Sequence, residues 1–441
     1  MNARVFIGLG DICGYYTQLE RGFHEVGVSC AFVNAYPDRD YGRVSRPGWI
    51  GRLVEWLARR RTSTARGSLT RRFWSAMQVG SLVLLLAHAL VAFDVFIFSG
   101  GTTFLFLRDL WLLKLFRKRI IVVFHGSDSR PPYLNAVSVG TEGQFDVDGC
   151  MRETRAIKRK LRTIERYADV IVSHPMYAHL HERRLVNWLH VGIPYEAGVG
   201  VAARTSATDG AVVIVHAPTR PGPKGTALIE RAIASLRQKG HPIRFVKLVD
   251  QPHVQVLKAL SECDFVVDEL FGDTPMASFA AEAAAFGKPA IVGMRGFNEL
   301  LRYSSPAVIP PALICRAEDV ESAIERLVVD QEYRVELGRL ARRFLEEQWN
   351  PKRVAARFVR LASGDVPSEW WFDPNTLDYL HGWGLTDGRA REVIRTIVKE
   401  RGLSALELAD KPALQRAFVD FALIEQPPLR AGGLTPEVVD I

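Results

Sequence analysis

Five cysteines are all that 441 residues contain, and Cys13, Cys30, Cys150, Cys263 and Cys315 are scattered with no C-x-x-C among them. That spacing excludes a disulfide framework and a cysteine zinc site, and it fits a reducing compartment. No leader-like stretch opens the sequence, which enters a strand pattern at once with Val5 to Ile7. No signal peptide is therefore expected, and the expected location is the cytoplasm. The glycines form neither G-x-G-x-x-G nor G-x-x-x-x-G-K-[ST], so a standard dinucleotide fingerprint and a P-loop are both missing. Long apolar runs are scarce. From Ala76 to Phe93 the only ionisable side chain is His88, which reaches the length of a membrane span. Gln78, Gly80 and Ser81 interrupt the run, and a buried-strand pattern, Val95 to Phe98, follows Asp94; the stretch reads as a helix packed on a sheet.

What is present is ordinary in amount and uneven in place. Hydrophobic residues make up 48% and charged residues 24%, enough for two or three domains with full cores. The net charge of +8 is concentrated: residues 38–72 hold ten Arg against two Asp and one Glu, which leaves about +1 for the rest. Trp49, Leu53, Trp56 and Leu57 fall at helical spacing within that stripe. Trp and Leu on one face with Arg on the other suits a helix lying on an anionic membrane surface, and a solvated basic insertion would carry the same charges. No nucleic-acid motif accompanies the stripe, so no nucleic acid is expected as a partner.

Strands and helices alternate along most of the chain, which predicts an α/β protein with parallel sheets. Residues 3–9, a turn bearing Gly10 and Gly14, a helix to Val26 and a strand over 28–33 open one Rossmann-like half. Gly14 there lets a ligand approach the backbone. The strand over 119–124 delivers His125-Gly126-Ser127-Asp128 to a cleft position, and residues 129–150 read as a mobile acceptor loop. Residues 196–210, rich in Gly, Ala, Ser and Thr, read as a linker. A second half opens at Val212. Its first turn, Arg220-Pro221-Gly222-Pro223-Lys224-Gly225-Thr226, has the chemistry of a diphosphate grip: free N–H groups at a helix start with cations beside them. Three helices near 318–330, 331–348 and 351–362 close this half. Beyond Gly364 come Trp370, Trp371, Phe372 and Trp383, expected to pack on the body, then two helical stretches and a loose end from Gln426.

The stretch around which the rest is organised runs from Asp264 to Val292. An apolar strand, Phe265 to Val267, leads into Asp268 and Glu269, a turn through Gly272 and Asp273, and then an apolar helix with one charge, Glu282. Thr274 is expected to cap that helix, with Pro275 in its first turn. Ser278 and Glu282 share a face, and ribose hydroxyls would partner the lone carboxylate.

This stretch resembles the two-domain (GT-B), retaining nucleotide-sugar glycosyltransferases, whose signature is E-x7-E followed by Ala and then Gly-x-Pro. Glu282-Ala283 and Gly287-Lys288-Pro289 stand in register with it. Thr274 occupies the slot of the first Glu, and Pro275-Met276-Ala277 replaces the usual Gly-Phe-Gly. Arg220, Lys224 and Gly225 resemble the family's Arg-x-x-x-x-Lys-Gly motif with one residue fewer, and His125 to Asp128 resembles a form seen in bacterial polysaccharide enzymes. The resemblance spans about residues 1–362 and is strongest over 211–293. It implies a GT-B architecture of two facing Rossmann-like domains: an acceptor domain over 1–200 with an insertion at 38–93, and a donor domain over 201–362. A helical extension over 363–441 follows them. It implies a nucleotide-diphosphate sugar as substrate, a glycan, lipid-linked or small-molecule acceptor, no metal and no further cofactor; the basic stretch within 38–93 adds the expectation of a peripheral place on the inner face of a membrane. Lys224 and Arg220 would hold the diphosphate, Glu282 the ribose, and His125 would lie beside the reacting sugar, with Gly14, Gly225, Thr274 and Ser278 lining the donor. Asp273 is expected to supply the carboxylate that Thr274 lacks. A catalytically degenerate nucleotide- or glycan-binding relative, a nucleotide-sugar epimerase and a basic membrane- or nucleic-acid-binding module remain the alternatives.

Overall fold

The computed structural model describes residues 3–36, 48–196 and 210–423. The first part of the basic stripe, most of the linker and the end from Gln426 lie outside the described residues. Six strands, β1 (Val5–Leu9), β2 (Cys30–Asn34), β3 (Val95–Ser99), β4 (Arg119–Val123), β5 (Val170–Ser173) and β6 (Leu185–Asn187), form a parallel sheet. Five more, β7 (Val212–His216), β8 (Ile243–Lys247), β9 (Phe265–Val267), β10 (Ala290–Gly293) and β11 (Leu313–Cys315), form a second, in the order β11-β10-β9-β7-β8. β1, β3 and β7 are buried along their whole length, as strands covered by helices on both faces must be. These are the two Rossmann-like units of a GT-B architecture.

The first unit is completed from far along the chain. Strand β12 (Trp371–Phe372) adds antiparallel to β6, giving the order β12-β6-β5-β4-β3-β1-β2. The helix Pro351–Ser363, the third of the closing helices, leaves the second unit and packs on α1 (Tyr15–Glu25). Gly22 makes this possible: a Cβ there would lie 2.0 Å from the Pro351 carbonyl oxygen. Phe358 is fully buried with its ring centroid 6.5 Å from that of Phe23, and Arg119 Nε donates to the Leu361 carbonyl at 3.2 Å. Trp370 and Phe372 are buried, as expected, Trp370 stacking on His190.

The basic stripe enters α2 (Trp49–Thr62), which packs on α3 (Leu69–Ala92). α3 is long and apolar enough to cross a membrane by length and composition. One of its faces is buried, with Gln78 Nε2 donating to the Ala35 carbonyl at 2.8 Å beyond the end of β2. Residues 129–139 are not a loose loop. Ser129 and Arg130 are buried in a turn, and Tyr133 and Leu134 in the short helical turn that follows, Pro132–Leu134.

Phe358→Ala removes the ring that seats the returning helix on α1. It should destabilise the chain by about 3–5 kcal/mol, as Phe truncations in packed cores do. Urea unfolding checks this, and a loss below about 1 kcal/mol would show that the helix docks without the ring.

Candidate active site

The loop after β4 and the first turn after β1 meet. Asp128 accepts from the backbone N–H groups of His125 (3.0 Å) and Gly126 (2.9 Å), which turns the His125 ring toward α1. His125 Nε2 lies 2.9 Å from the Tyr16 hydroxyl, and the Tyr15 ring stands edge-on at 5.0 Å. Gly14 is buried and left-handed, φ 76°, directly ahead of α1. Asp11 Oδ1 takes the N–H of Tyr16 at 2.9 Å. The structure thus brings Gly14 and His125 together. Burial pushes the pKa of His125 down against the pull of Asp128, so the imidazole is neutral near pH 7.

On the facing unit, β9 ends in Asp268 and Glu269. Lys224 is folded back onto both, with Nζ 2.6 Å from Asp268 Oδ1 and 3.6 Å from Glu269 Oε2. Burial disfavours the ammonium, but the two carboxylates outweigh it and hold the Lys224 pKa above its ordinary value. Burial pushes Glu269 up to about 7, with Lys224 opposing and Asp268 and Asp273 adding to the rise. Gly225 is left-handed (φ 75°), and a Cβ there would press on the Leu270 side chain at 2.9 Å, so only glycine lets this turn close over β9. His216 anchors the same turn at the end of β7. Its Nε2 lies 2.9 Å from Thr226 Oγ1 and its Nδ1 donates to the Val267 carbonyl at 2.8 Å. Arg220 is exposed at the mouth of the turn.

Asp273 differs from expectation. It is buried and bound across the interface to Arg130 of the first unit, Nε to Oδ2 at 2.9 Å, and the guanidinium lies 4.6 Å above the Tyr177 ring. Its second oxygen, Oδ1, has no hydrogen-bond partner among the described residues. Burial raises the Asp273 pKa while Arg130 lowers it, and burial prevails. Thr274 is not a helix cap. The apolar helix begins later than expected, at Ser278, with Ala277 in the capping position and no side chain capping it. Pro275 and Met276 lie in the turn, and Thr274 Oγ1 is buried without a hydrogen-bond partner among the described residues. Ser278 is half-buried in the first turn, and Glu282, one turn on, is buried and pairs with His253 Nε2 at 2.9 Å.

Arg130, His253 and one whole segment escaped the sequence reading. Residues 378–389, within the extension, run between the two units and bond to both. On the first unit, Trp383 N donates to the Leu134 carbonyl (2.9 Å), Ala136 N to the Trp383 carbonyl (3.0 Å), and His179 Nε2 to the Tyr379 carbonyl (2.8 Å). On the second, Gly384 N donates to the Phe271 carbonyl (2.8 Å) and Trp383 Nε1 to Glu269 Oε2 (3.1 Å). The clustered tryptophans were the only hint of this strap. Outside the crevice, Glu20, His24 and Cys30 bring one ligand atom each within 4.8 Å of one another. Burial, helped by Glu20, pushes the Cys30 thiol up to about 12, which disfavours the thiolate a metal would need.

No family model and no curated protein matches the chain. Solved glycosyltransferase structures do resemble it. The catalytic domain of starch synthase IV from Arabidopsis thaliana, bound to ADP and acarbose, aligns at 13% identity over 82% of this chain and 99% of that one, with a TM-score of 0.49. HepE from Anabaena in complex with UDP-glucose aligns at 9% identity over 82% and 100%, with a TM-score of 0.46. SnogD from Streptomyces nogalater aligns at 14% identity over 82% and 100%, with a TM-score of 0.39. At these identities and scores the likenesses carry no functional argument.

Two outcomes follow from the buried charges. Arg130→Ala leaves Asp273 buried without its cation and should cost about 3–5 kcal/mol in denaturant unfolding, whereas Arg130→Met combined with Asp273→Leu should recover most of it. A double variant as unstable as the single one would mean that the pair contributes something beyond charge compensation. Glu269 keeps its proton to about pH 7 when folded, against an ordinary value of 4.5. As pH rises from about 4.5 to 7 the unfolded chain loses that proton first, so stability falls across this window. Glu269→Gln should flatten the fall, measured as unfolding free energy against pH. An unchanged slope would place the Glu269 pKa at its ordinary value.

Proposed function

We propose that the chain is a metal-independent glycosyltransferase that moves a sugar from a nucleotide-diphosphate donor to a glycan, lipid-linked or small-molecule acceptor, with retention. The observation that supports this most is the convergence of one loop of the first unit, carrying His125 and Arg130, on the carboxyl ends of the second parallel sheet. Ligands of open α/β sheets bind at such ends. Lys224 and the exposed Arg220 supply the positive charge for a leaving diphosphate. Glu282, with His253 beside it, offers a ribose an oriented acceptor. His125, neutral and bonded to Tyr16, lies on the acceptor side, where an uncharged imidazole can accept a proton.

The charges also state what binding requires. Lys224 must exchange Asp268 and Glu269 for phosphate oxygens, and protonation of Glu269 lowers the cost of that exchange near pH 7. Asp273 meets a donor sugar only through Oδ1, because Arg130 holds Oδ2. It thereby takes part of the role that a glutamate at 274 would have.

A second reading, a degenerate nucleotide- or glycan-binding protein, is favoured by Thr274 in the acidic slot and by the strap across the interface. Full-length protein titrated with UDP, ADP and GDP and their glucose conjugates separates the two. Bound nucleotide at about a hundredfold excess over Kd should add about 2.7 kcal/mol of stability. Lys224→Ala should weaken nucleoside-diphosphate binding by about 1.5–3 kcal/mol and leave nucleoside binding nearly unchanged. Binding with no transfer or hydrolysis of any donor selects the degenerate reading, and no thermal shift with any nucleotide rejects both the transferase and a degenerate nucleotide binder.

A further inference from the structure

α3 hides one face and exposes the other. Gln78, Ser81, Leu82, Leu85, Leu86 and Ala89 are buried against α2 and the first sheet. The opposite face shows Phe73 (57% exposed), Met77, Val83, Leu84 and Val91 (78%), and no Asp, Glu, Lys or Arg occurs from Phe73 to Phe93. α2 extends this apolar surface, since Trp56 meets Trp74 of α3 edge-on at 5.7 Å and Trp49 is 63% exposed. The order β4-β3-β1-β2 means that the β2→β3 and β3→β4 connections step the same way across the sheet. Right-handed crossovers therefore put α3 and the short helix Leu110–Leu115 on one face of the sheet. That helix exposes Trp111 and Leu115, with Phe116 after it.

The charge around these residues has one sign. Residues 48–118 contain eleven Lys or Arg and three Asp or Glu. None of the three acids is free. Glu55 and Asp109 are buried, accepting from the N–H of Asn34 and the hydroxyl of Thr103, and Asp94 pairs with Arg4. Arg52, Arg59, Arg60, Arg66 and Arg72 are exposed. Wide apolar area edged by cations, with its three acids buried or paired, is complementary to an anionic lipid surface: apolar side chains enter the acyl boundary and arginines meet the headgroups. A second copy of the chain is a poor fit, because it would set the same positive edge against itself. Spanning is a poor fit as well, because the buried face of α3 belongs to the sheet's core.

We propose that the α2–α3 hairpin, with the helix Leu110–Leu115, is a docking surface that lays the first unit flat on an anionic bilayer without spanning it. This surface is independent of the sugar-transfer reading. Full-length protein is floated with vesicles of phosphatidylcholine alone or of equal parts phosphatidylglycerol and phosphatidylcholine, at low and high salt. The anionic vesicles should bind it, and phosphatidylcholine alone should bind it far less. Arg59→Gln/Arg60→Gln/Arg72→Gln should weaken binding on the order of a hundredfold, as three basic residues at an anionic surface do. Phe73→Ser/Met77→Ser/Leu84→Ser should abolish the binding that survives high salt. Both triple variants alter exposed side chains, and unchanged thermal unfolding confirms that they fold. Equal binding to both vesicle types, no binding to either, or wild-type binding by both variants overturns the proposal. Loss of a dimer in the apolar variant, seen by size exclusion without any vesicle binding, assigns the face to a second copy instead.

Discussion

Arg130 and Asp273 meet across the interface of the two units, each nearly without solvent, and the surrounding arrangement depends on that contact. A lone buried guanidinium or carboxylate would be forced out or neutralised, so neither loop can hold its observed course without the other. Arg130 sits at the end of a loop whose start presents His125 to Tyr16. Asp273 sits at the end of a turn whose start presents Asp268 and Glu269 to Lys224. One ion pair therefore ties together the loop that carries His125 and the turn that faces Lys224, although it touches neither residue.

Much of this was legible in the sequence because its causes are local. Alternating apolar runs and glycine turns mark the strands and the helices between them, so the paired parallel sheets follow from pattern alone. His125, Lys224 and Glu282 stood out as polar groups at strand ends or inside an apolar helix. What escaped has non-local causes. Asp273 looked available because nothing near it in sequence is cationic; its partner is 143 residues away. Thr274 looked like a cap because Thr followed by Pro is a helix-start pattern, yet the turn consumes three more residues before the helix begins. The return of the helix Pro351–Ser363 to α1 depends on one glycine, and a single glycine in a helix carries no sign of what it touches.

The strap adds a third body to a two-body cleft. Trp383 holds Glu269 through its indole N–H while its backbone bonds to Leu134 and Ala136. Any change in the angle between the units has to move this segment, since its hydrogen bonds run to both. Glu269 joins the two facts: burial and the neighbouring acids favour its neutral form while Lys224 and the indole N–H of Trp383 favour its charged form, so the charge of the cleft and the seating of the strap are coupled.

The edge strand β12 bears on how the protein is made. The first sheet begins with residue 5 but gains its outermost strand at 371–372 and the helix on its α1 side at 351–363. A ribosome delivers the first unit's other strands well before these pieces emerge. During that interval β6 is an open edge, and the apolar flank of α1 around Gly22 and Phe23 is uncovered. Synthesis at about 5–20 residues per second leaves the roughly 180 residues after β6 to be made over some ten to forty seconds. The first unit therefore reaches its final form only when nearly all of the described chain has been made.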